Sequence, residues 1–269
     1  TLVKSLKAVD KEIISRLNKS IPLINDIGKH LINASGKRLR PLLTLAMAAQ
    51  FKDDSKKPIL LAAAVEFIHT ATLLHDDVVD ESNLRRGNKT ANIIWGNEFS
   101  VLAGDFLFAQ SFELMVETES IDALSSLASA ACKITQGEFQ QMQISNRPET
   151  PEEDYFEVIG KKTAELFGAS CKSGVIVSGG NIQQQNAAYD YGFNLGIAFQ
   201  IVDDKINFAS APTSGANFFC VVLATTNVNP LTTLTIGARA GAHLMDLHGR
   251  SMAVTDRSGT VHSIAFNLA

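Results

Sequence analysis

The run KPILLAAAVEFIHTATLLHDDVVDESNLRRG, residues 57–87, joins a long apolar segment to a tight cluster of acids and arginines. Pro58 stands in the first turn of the predicted helix, where its missing N–H leaves no hydrogen bond unmade. The segment is apolar on nearly every face as far as Asp76, which is typical of a helix buried on all sides. We therefore predict a core helix that ends in carboxylates.

The acids of this run have a spacing that suits a metal ion. On a helix, Asp76 and Asp80 lie one above the other, about 6 Å apart, and Asp77 flanks them. Protonation, a basic partner or a divalent cation relieves the repulsion between such acids, and carboxylate oxygens suit Mg²⁺. The alternatives are a solvated acidic helix end and simple pairing with Arg85 and Arg86, whose guanidinium groups also match phosphate oxygens.

Three further clusters support a site for a polyanion with an oily tail. FQIVDD places Asp203 and Asp204 at the end of a second apolar helix, so two acid-tipped helices can face each other across an apolar cavity. The segment SGKRLRP, residues 35–41, offers Lys37, Arg38 and Arg40. GKKTAELF offers Lys162 and Thr163. Each basic cluster, taken alone, is more often a solvated surface loop than a binding site.

Composition sets the broad class of protein. The chain has 269 residues, of which 45% are hydrophobic and 19% charged, and this is enough apolar material for a large core. A net charge of −4 gives no basic field for nucleic acid. Three cysteines without metal-ligand spacing fit a reducing compartment. We find no 18-residue uninterrupted apolar run and no signal peptide, so we expect a cytoplasmic protein without a transmembrane segment.

The chain divides by composition near residue 207. Helical periodicity begins with Leu2, Leu6, Val9, Ile13 and Leu17 and continues through residues 1–207, which predicts an all-α domain. Residues 208–269 contain no Lys or Glu and keep no helical stripe. We expect this tail to be irregular, and a frame change in the gene is our leading explanation for it.

Six motifs, in order, resemble the trans-isoprenyl diphosphate synthase (polyprenyl synthetase) family of the long-chain type, which makes octaprenyl, solanesyl or decaprenyl diphosphate. The resemblance covers about residues 1–206, and the motifs read GKRLRP, FIHTATLLHDDVVDESNLRRG, AGDFLFAQSF, GEFQQ, KKTAELF and FQIVDD. The resemblance implies an isoprenoid-synthase-type helical bundle around a deep central cavity, in a homodimer. It also implies a prenyltransferase that uses Mg²⁺ to join isopentenyl diphosphate to an allylic diphosphate, with product release at a membrane surface.

The resemblance assigns roles residue by residue. The implied catalytic residues are Asp76, Asp77, Asp80, Lys162 and Asp203. The implied magnesium ligands are Asp76, Asp80, Asp203 and Asp204. The implied ligands of isopentenyl diphosphate are Lys37, Arg40, His69 and Arg86. The implied ligands of the allylic diphosphate are Arg85, Lys162, Thr163 and Gln200. We interpret His75 as a core histidine whose hydrogen bonds are satisfied within the protein.

Product length is expected to depend on the helix that carries the first acids. Thr72 and Ala71 lie about one turn before Asp76, and Ile68 lies about two turns before it. Short-chain relatives carry a bulky aromatic residue near the position of Ala71. The small side chains here predict a product well beyond farnesyl length.

The resemblance breaks at its far end. Asn207 stands where the second motif has a third acid, and an amide brings no charge to a metal. The lysine block and helices that follow this motif in the family have no counterpart. The alternative function is therefore a catalytically impaired binding or regulatory subunit. A terpene cyclase is disfavoured because it has no need of an isopentenyl site.

Overall fold

The structure, a computed structural model, describes residues 2–34, 36, 38–51, 55–144, 151–209, 251–255 and 261–265. The chain forms two compact units, Thr1–Gly196 and Ile197–Ala269. The first unit is a bundle of packed helices, so the all-α prediction is confirmed for this part of the chain. The helices, in chain order, are α1 (Leu2–Asn18), α2 (Pro22–Ala34), α3 (Leu39–Ala48), α4 (Lys57–Val79), α5 (Ala91–Trp95), α6 (Asn97–Val116), α7 (Ile121–Ile144), α8 (Glu152–Ile159), α9 (Glu165–Val177) and α10 (Ile182–Ala209).

Helix α4 is the core helix that the sequence predicts. Most of its residues from Pro58 to Leu74 are buried, because its apolar side chains face neighbours on all sides. Its most extensive packing is against α6. Gly104 of α6 permits this approach, since a Cβ there would lie 2.3 Å from His75 Nε2. Val9, Ile13 and Leu17 of α1 are fully buried on the predicted apolar face.

A π-helical turn, Gly160–Ala164, connects α8 to α9. It carries Lys161, Lys162 and Thr163, and it lies against α7 at Gly137. A Cβ on Gly137 would stand 2.8 Å from the backbone nitrogen of Lys162, so only glycine allows this approach without a backbone shift. Single π-turns inside helical segments often accompany functional sites.

A two-stranded hairpin follows α4. Strand β1 (Leu84–Arg85) pairs antiparallel with β2 (Asn88–Lys89), with Arg85 opposite Asn88. Arg86 and Gly87 form the two-residue turn with φ of 52° and 81°. Positive φ at both positions is the type I′ geometry that fits the twist of a hairpin.

In the second unit the structure describes the end of α10 and a further antiparallel pair, β3 (Ser251–Thr255) and β4 (Val261–Ala265), with Ser251 opposite Ala265. The rest of the predicted irregular tail lies outside the described residues. The division into domains at residue 207 stays a prediction.

Two helices of the described residues are long and apolar enough, by length and composition alone, to cross a membrane: α4 and α6. The apolar window of α4 is 72% buried, which identifies it as a core helix of the bundle. The corresponding window of α6 is only 39% buried.

Candidate active site

The acids of α4 separate into two different environments. Asp77 is fully buried, whereas Asp76 is half-buried and Asp80 is exposed at the end of the helix. The Asp80 backbone N–H donates to the Asp76 carbonyl at 2.8 Å, so the two residues are one helical turn apart. This is the stacked arrangement that the spacing predicts.

Asp77 pairs with Arg85 of the hairpin. Arg85 donates from Nε to Asp77 Oδ1 at 3.0 Å and from Nη2 to the same oxygen at 2.8 Å. Arg85 stands on β1, before the turn of the hairpin, and its side chain reaches back to the end of α4. Pairing of acid and arginine, one of the alternatives for this run, thus holds for Asp77. In this arrangement Asp77 orients Arg85, and its own carboxylate is shut off from solvent.

The surroundings of Asp76 disfavour the ionised form of its carboxyl group. Burial raises its pKa to about 7, and the carboxylates of Glu138 and Asp80 act in the same direction. The ammonium of Lys162 and the guanidinium of Arg85 oppose the rise in pKa. Lys162 itself donates to Glu138 Oε2 at 2.7 Å. Asp76, Asp80 and Lys162, all predicted site residues, are therefore brought into one electrostatic cluster.

The donor set fits a hard divalent cation held partly by other ligands. Among the described residues no three His, Cys, Asp or Glu side chains converge into a complete metal cage. Mg²⁺ does not require one, because it commonly binds through one or two carboxylates, several waters and substrate phosphates. The stacking of Asp76 and Asp80 one helical turn apart favours a cation here, and positive charge would also stabilise the ionised form of Asp76, whose pKa burial raises.

A second cluster forms around Arg40 of α3. Arg40 Nη1 lies 3.1 Å from His69 Nε2, and its guanidinium stacks over Phe167 at 4.4 Å from the ring centroid. Since arginine only donates, His69 Nε2 is the acceptor. Burial, then the charges of Arg40 and three other arginines, hold the pKa of His69 well below its usual value, so this imidazole is neutral.

Arg40 keeps an unused donor. Its Nε is buried and has no hydrogen-bond partner within the part of the chain that the structure describes. Burial lowers the pKa of Arg40 to about 10; the nearby Glu66 carboxylate opposes this and Arg86 adds to it. An arginine that is charged, crowded by other arginines and short of one partner is a suitable place for a phosphate oxygen.

Arg38 and Arg86 frame this cluster. Arg38 pairs with Glu66 of α4 and, at 3.3 Å, with Asp10 of α1, so it fastens the start of α3 to the bundle. Arg86 lies against Gly36, where a Cβ would stand 2.5 Å from Arg86 Nη1. Lys37 lies outside the described residues, and its predicted role stays a prediction.

The remaining predicted residues are placed as follows. Thr163 is buried in the π-helical turn. Gln200, Asp203 and Asp204 belong to the second unit, in which Gln200 Nε2 donates to Asp204 Oδ1 at 2.9 Å and Asp203 is exposed. The predicted facing of the two acid pairs stays a prediction. The side chain of Asn207 lies outside the described residues.

The residues predicted to control product length lie on the buried part of α4. Ile68 and Ala71 are buried in the core, and Thr72 is half-buried. His75 is half-buried, and its Nε2 lies 3.2 Å from the Val101 carbonyl oxygen of α6. That contact agrees with its reading as a satisfied histidine.

The sequence analysis does not predict the roles of three residues near the site. Glu66 and Glu138 compensate the arginine cluster and Lys162, and Gly137 admits the π-helical turn. Glu66 carries a usable signal, because a lone acid inside an apolar helix needs a basic partner. Gly137 and Glu138 stand together in GEFQQ, but their partners come from a distant segment of the chain.

Comparison with known proteins supports the family directly. The Polyprenyl synthetase family profile matches residues 21–219. Octaprenyl diphosphate synthase of Haemophilus influenzae is 44% identical over 205 residues, which cover 76% of this chain and 62% of that protein. The Escherichia coli octaprenyl diphosphate synthase is 40% identical over 205 residues, covering 76% of this chain and 64% of that protein.

Solved structures agree with this assignment. A polyprenyl synthase from Caulobacter crescentus, complexed with calcium and isoprenyl diphosphate, is 48% identical, with a TM-score of 0.75 over 77% of this chain and 63% of that one. A decaprenyl diphosphate synthase from Rhodobacter capsulatus is 45% identical, with a TM-score of 0.76 over 81% of this chain and 68% of that one. The chain spans less than two thirds of the length of both octaprenyl diphosphate synthases. With its motifs, its bundle and these matches in agreement, the chain belongs to the polyprenyl synthetase family.

Proposed function

We propose that this chain is a long-chain trans-polyprenyl diphosphate synthase, which condenses isopentenyl diphosphate head to tail onto an allylic diphosphate. The observation that carries the proposal is the arrangement on α4: a stacked Asp76–Asp80 pair lies next to Lys162 and close to an arginine cluster with an unused donor. Relatives that are octaprenyl and decaprenyl diphosphate synthases support the long-chain type.

The acidic residues of the site would bind the cation, and the basic residues would bind the diphosphate. Asp76 and Asp80 would hold Mg²⁺, which, when bound, neutralises the departing diphosphate and favours ionisation of the allylic carbon–oxygen bond. Lys162 and Arg85 add positive charge to the same side and orient the allylic diphosphate. The C. crescentus structure, with calcium and isoprenyl diphosphate, supports a divalent cation for this chain as well.

The Arg40 cluster suits the second substrate. Arg40 Nε and the nearby Arg86 would bind the diphosphate of isopentenyl diphosphate, and neutral His69 keeps Arg40 in place without adding charge. The isopentenyl double bond then attacks the allylic cation, and the proton that is lost passes to the leaving diphosphate. No protein nucleophile is needed, because both bonds change at substrate atoms.

The decisive experiment is an elongation assay. The protein is incubated with Mg²⁺, farnesyl diphosphate and labelled isopentenyl diphosphate, and the products are separated by chromatography. We expect labelled products well beyond farnesyl length that disappear when the cation is chelated. An unlabelled product fraction at every cation concentration would instead favour the alternative, a subunit that binds without catalysis.

We further infer that the chain works as a homodimer in the cytoplasm. Helix α6 has apolar residues on every side, and several of its large apolar side chains are exposed in the single chain: Phe99, Val101, Leu102, Phe112 and Val116. A second copy of the chain would cover this surface. The described cysteines, Cys132 and Cys171, are both free, which suits a reducing compartment.

A further inference from the structure

The two carboxylate oxygens of Glu138, on α7, have different surroundings, and stabilisation of the fold alone does not explain the difference. Its Oε2 accepts the hydrogen bond from Lys162 Nζ at 2.7 Å. Its Oε1 is buried and has no hydrogen-bond partner among the described residues. Because a buried carboxylate oxygen without a partner costs stability, the residue is poorly optimised as a structural ion pair.

The neighbouring lysine provides a comparison within the same turn. Lys161 pairs with Glu157 at 2.5 Å, one helical turn away, and Glu157 is exposed. Lys161 also donates to Gln140 Oε1 of α7 at 3.0 Å, and exposed ion pairs of this kind contribute little to stability. Lys162 differs in that its partner on α7 is a carboxylate, at the point where Gly137 lets the two backbones touch.

Lys162 has two carboxylate neighbours and bonds to only one of them. Its ammonium lies close enough to Asp76 to oppose the rise in the pKa of that carboxyl group. Its hydrogen bond nevertheless goes to Glu138. If Glu138 were neutral, the ammonium would gain most by turning to Asp76, since opposite charges in a partly buried site attract strongly.

We propose that Glu138 is a positioning residue that holds the Lys162 ammonium away from Asp76 and so keeps the Asp76–Asp80 pair open to a divalent cation. It also presents the lysine to a diphosphate group, and this second part rests on the proposed function. The cation-binding part rests on the Glu138–Lys162 hydrogen bond, the stacking of Asp76 and Asp80, and the electrostatic effect of Lys162 on Asp76.

Mn²⁺ binding, followed by electron paramagnetic resonance without substrate, tests the inference. We expect Glu138→Gln to weaken Mn²⁺ binding about tenfold, because the freed ammonium competes for Asp76. Adding Lys162→Met to the same chain removes the competitor and is expected to restore binding to within about threefold of the unmodified protein. Glu157→Gln, the matched control on the neighbouring pair, leaves Mn²⁺ binding unchanged.

Several outcomes overturn the inference. It fails if Glu138→Gln binds Mn²⁺ as tightly as the unmodified protein, or if the unmodified protein binds none. It also fails if Lys162→Met does not restore binding, since Glu138 would then be a direct ligand. Should Glu138→Gln not fold by circular dichroism, Glu138→Asp replaces it: a smaller loss that Lys162→Met restores supports the inference, and no loss overturns it.

The elongation assay on the same preparations separates the two proposals. If no polyprenyl product forms while the Mn²⁺ pattern holds, the proposed function is wrong and the role of Glu138 stands. If product forms while Glu138→Gln leaves Mn²⁺ affinity unchanged, the role of Glu138 is wrong and the function stands.

Discussion

Burial and the neighbouring carboxylates both raise the pKa of the Asp76 carboxyl group. Its pKa of about 7, against an ordinary value of 3.8, means that the folded protein holds an extra proton between these two pH values. The stability that this group contributes is therefore fully present below about pH 3.8, falls as the pH rises towards 7 and is lost above it, where the buried carboxyl group must ionise. A bound cation reverses this penalty, because it stabilises the ionised form.

We predict that Asp76→Asn makes the cation-free protein more stable above pH 7, by about 2 kcal/mol, and abolishes this part of the pH dependence. The same change lowers turnover by orders of magnitude, because a metal ligand is lost. Urea unfolding between pH 4 and 8 measures the first effect and the elongation assay the second. Asp26→Asn, at an exposed acid of α2, is the control. Equal pH profiles for Asp76→Asn and the unmodified protein would contradict the argument.

The π-helical turn depends on a glycine in another helix. A Cβ at residue 137 would lie 2.8 Å from the backbone nitrogen of Lys162 and 2.9 Å from Lys161 Cβ. These are not flexible side-chain ends, so the turn itself has to move. Helix α7 therefore sets the position of Lys162 through the backbone of Gly137, which has no side chain.

Gly137→Ala is expected to cost about 1–3 kcal/mol of stability. We also expect a larger loss in elongation than that destabilisation explains, since Lys162 moves with the turn. Thermal unfolding and steady-state kinetics at saturating Mg²⁺ are the measurements. Gln136→Ala, at the exposed neighbouring position of α7, serves as the control. A Gly137→Ala protein with normal kinetics would show that the turn tolerates the displacement.

Helix α4 is also predicted to set product length. Ala71 is fully buried, so a phenyl group there has to occupy space that either a growing chain or the packed core now fills. We expect Ala71→Phe to shorten the product distribution, at a cost of about 1–3 kcal/mol from overpacking. Chromatography of the products of this variant and of Thr72→Phe, at a half-buried site, measures the effect.

Ala187→Phe, at a half-buried position of α10 in the first unit, controls for the added bulk. It is expected to leave the product length unchanged. The tunnel hypothesis is wrong if the unmodified chain stops at farnesyl diphosphate, or if Ala71→Phe gives the same products as the unmodified chain.

For the whole molecule, the exposed face of α6 predicts self-association. Leu102 and Val116 are 62% and 63% exposed in the single chain. We expect Leu102→Glu with Val116→Glu to weaken dimerisation at least about tenfold, because two charges would be buried in an apolar contact. Sedimentation velocity over a range of concentrations measures it. Ile182→Glu, 62% exposed at the start of α10, is the control. A monomeric unmodified protein, or a variant that still dimerises, would refute the prediction.

Much of the site was readable from the chain because it depends on short-range spacing. The buried helix, its terminal acids and their stacking follow from helical periodicity, and the order of the six motifs was enough to indicate the family. The sequence also indicates the arginines of the hairpin, although the pairing of Arg85 with Asp77 is only one of three alternatives that it leaves open.

The roles of Glu66, Glu138 and Gly137 were decided by tertiary structure alone. Glu66 lies 28 residues from Arg38 and Glu138 lies 24 residues from Lys162, so no local spacing links either pair. The division of labour between Asp76 and Asp77 has the same origin: adjacent in sequence, they project into different surroundings, one towards Lys162 and the other towards Arg85. Sequence specifies which charges a helix carries, whereas packing decides which of them are desolvated and which partner each one meets, and these two factors set their chemistry.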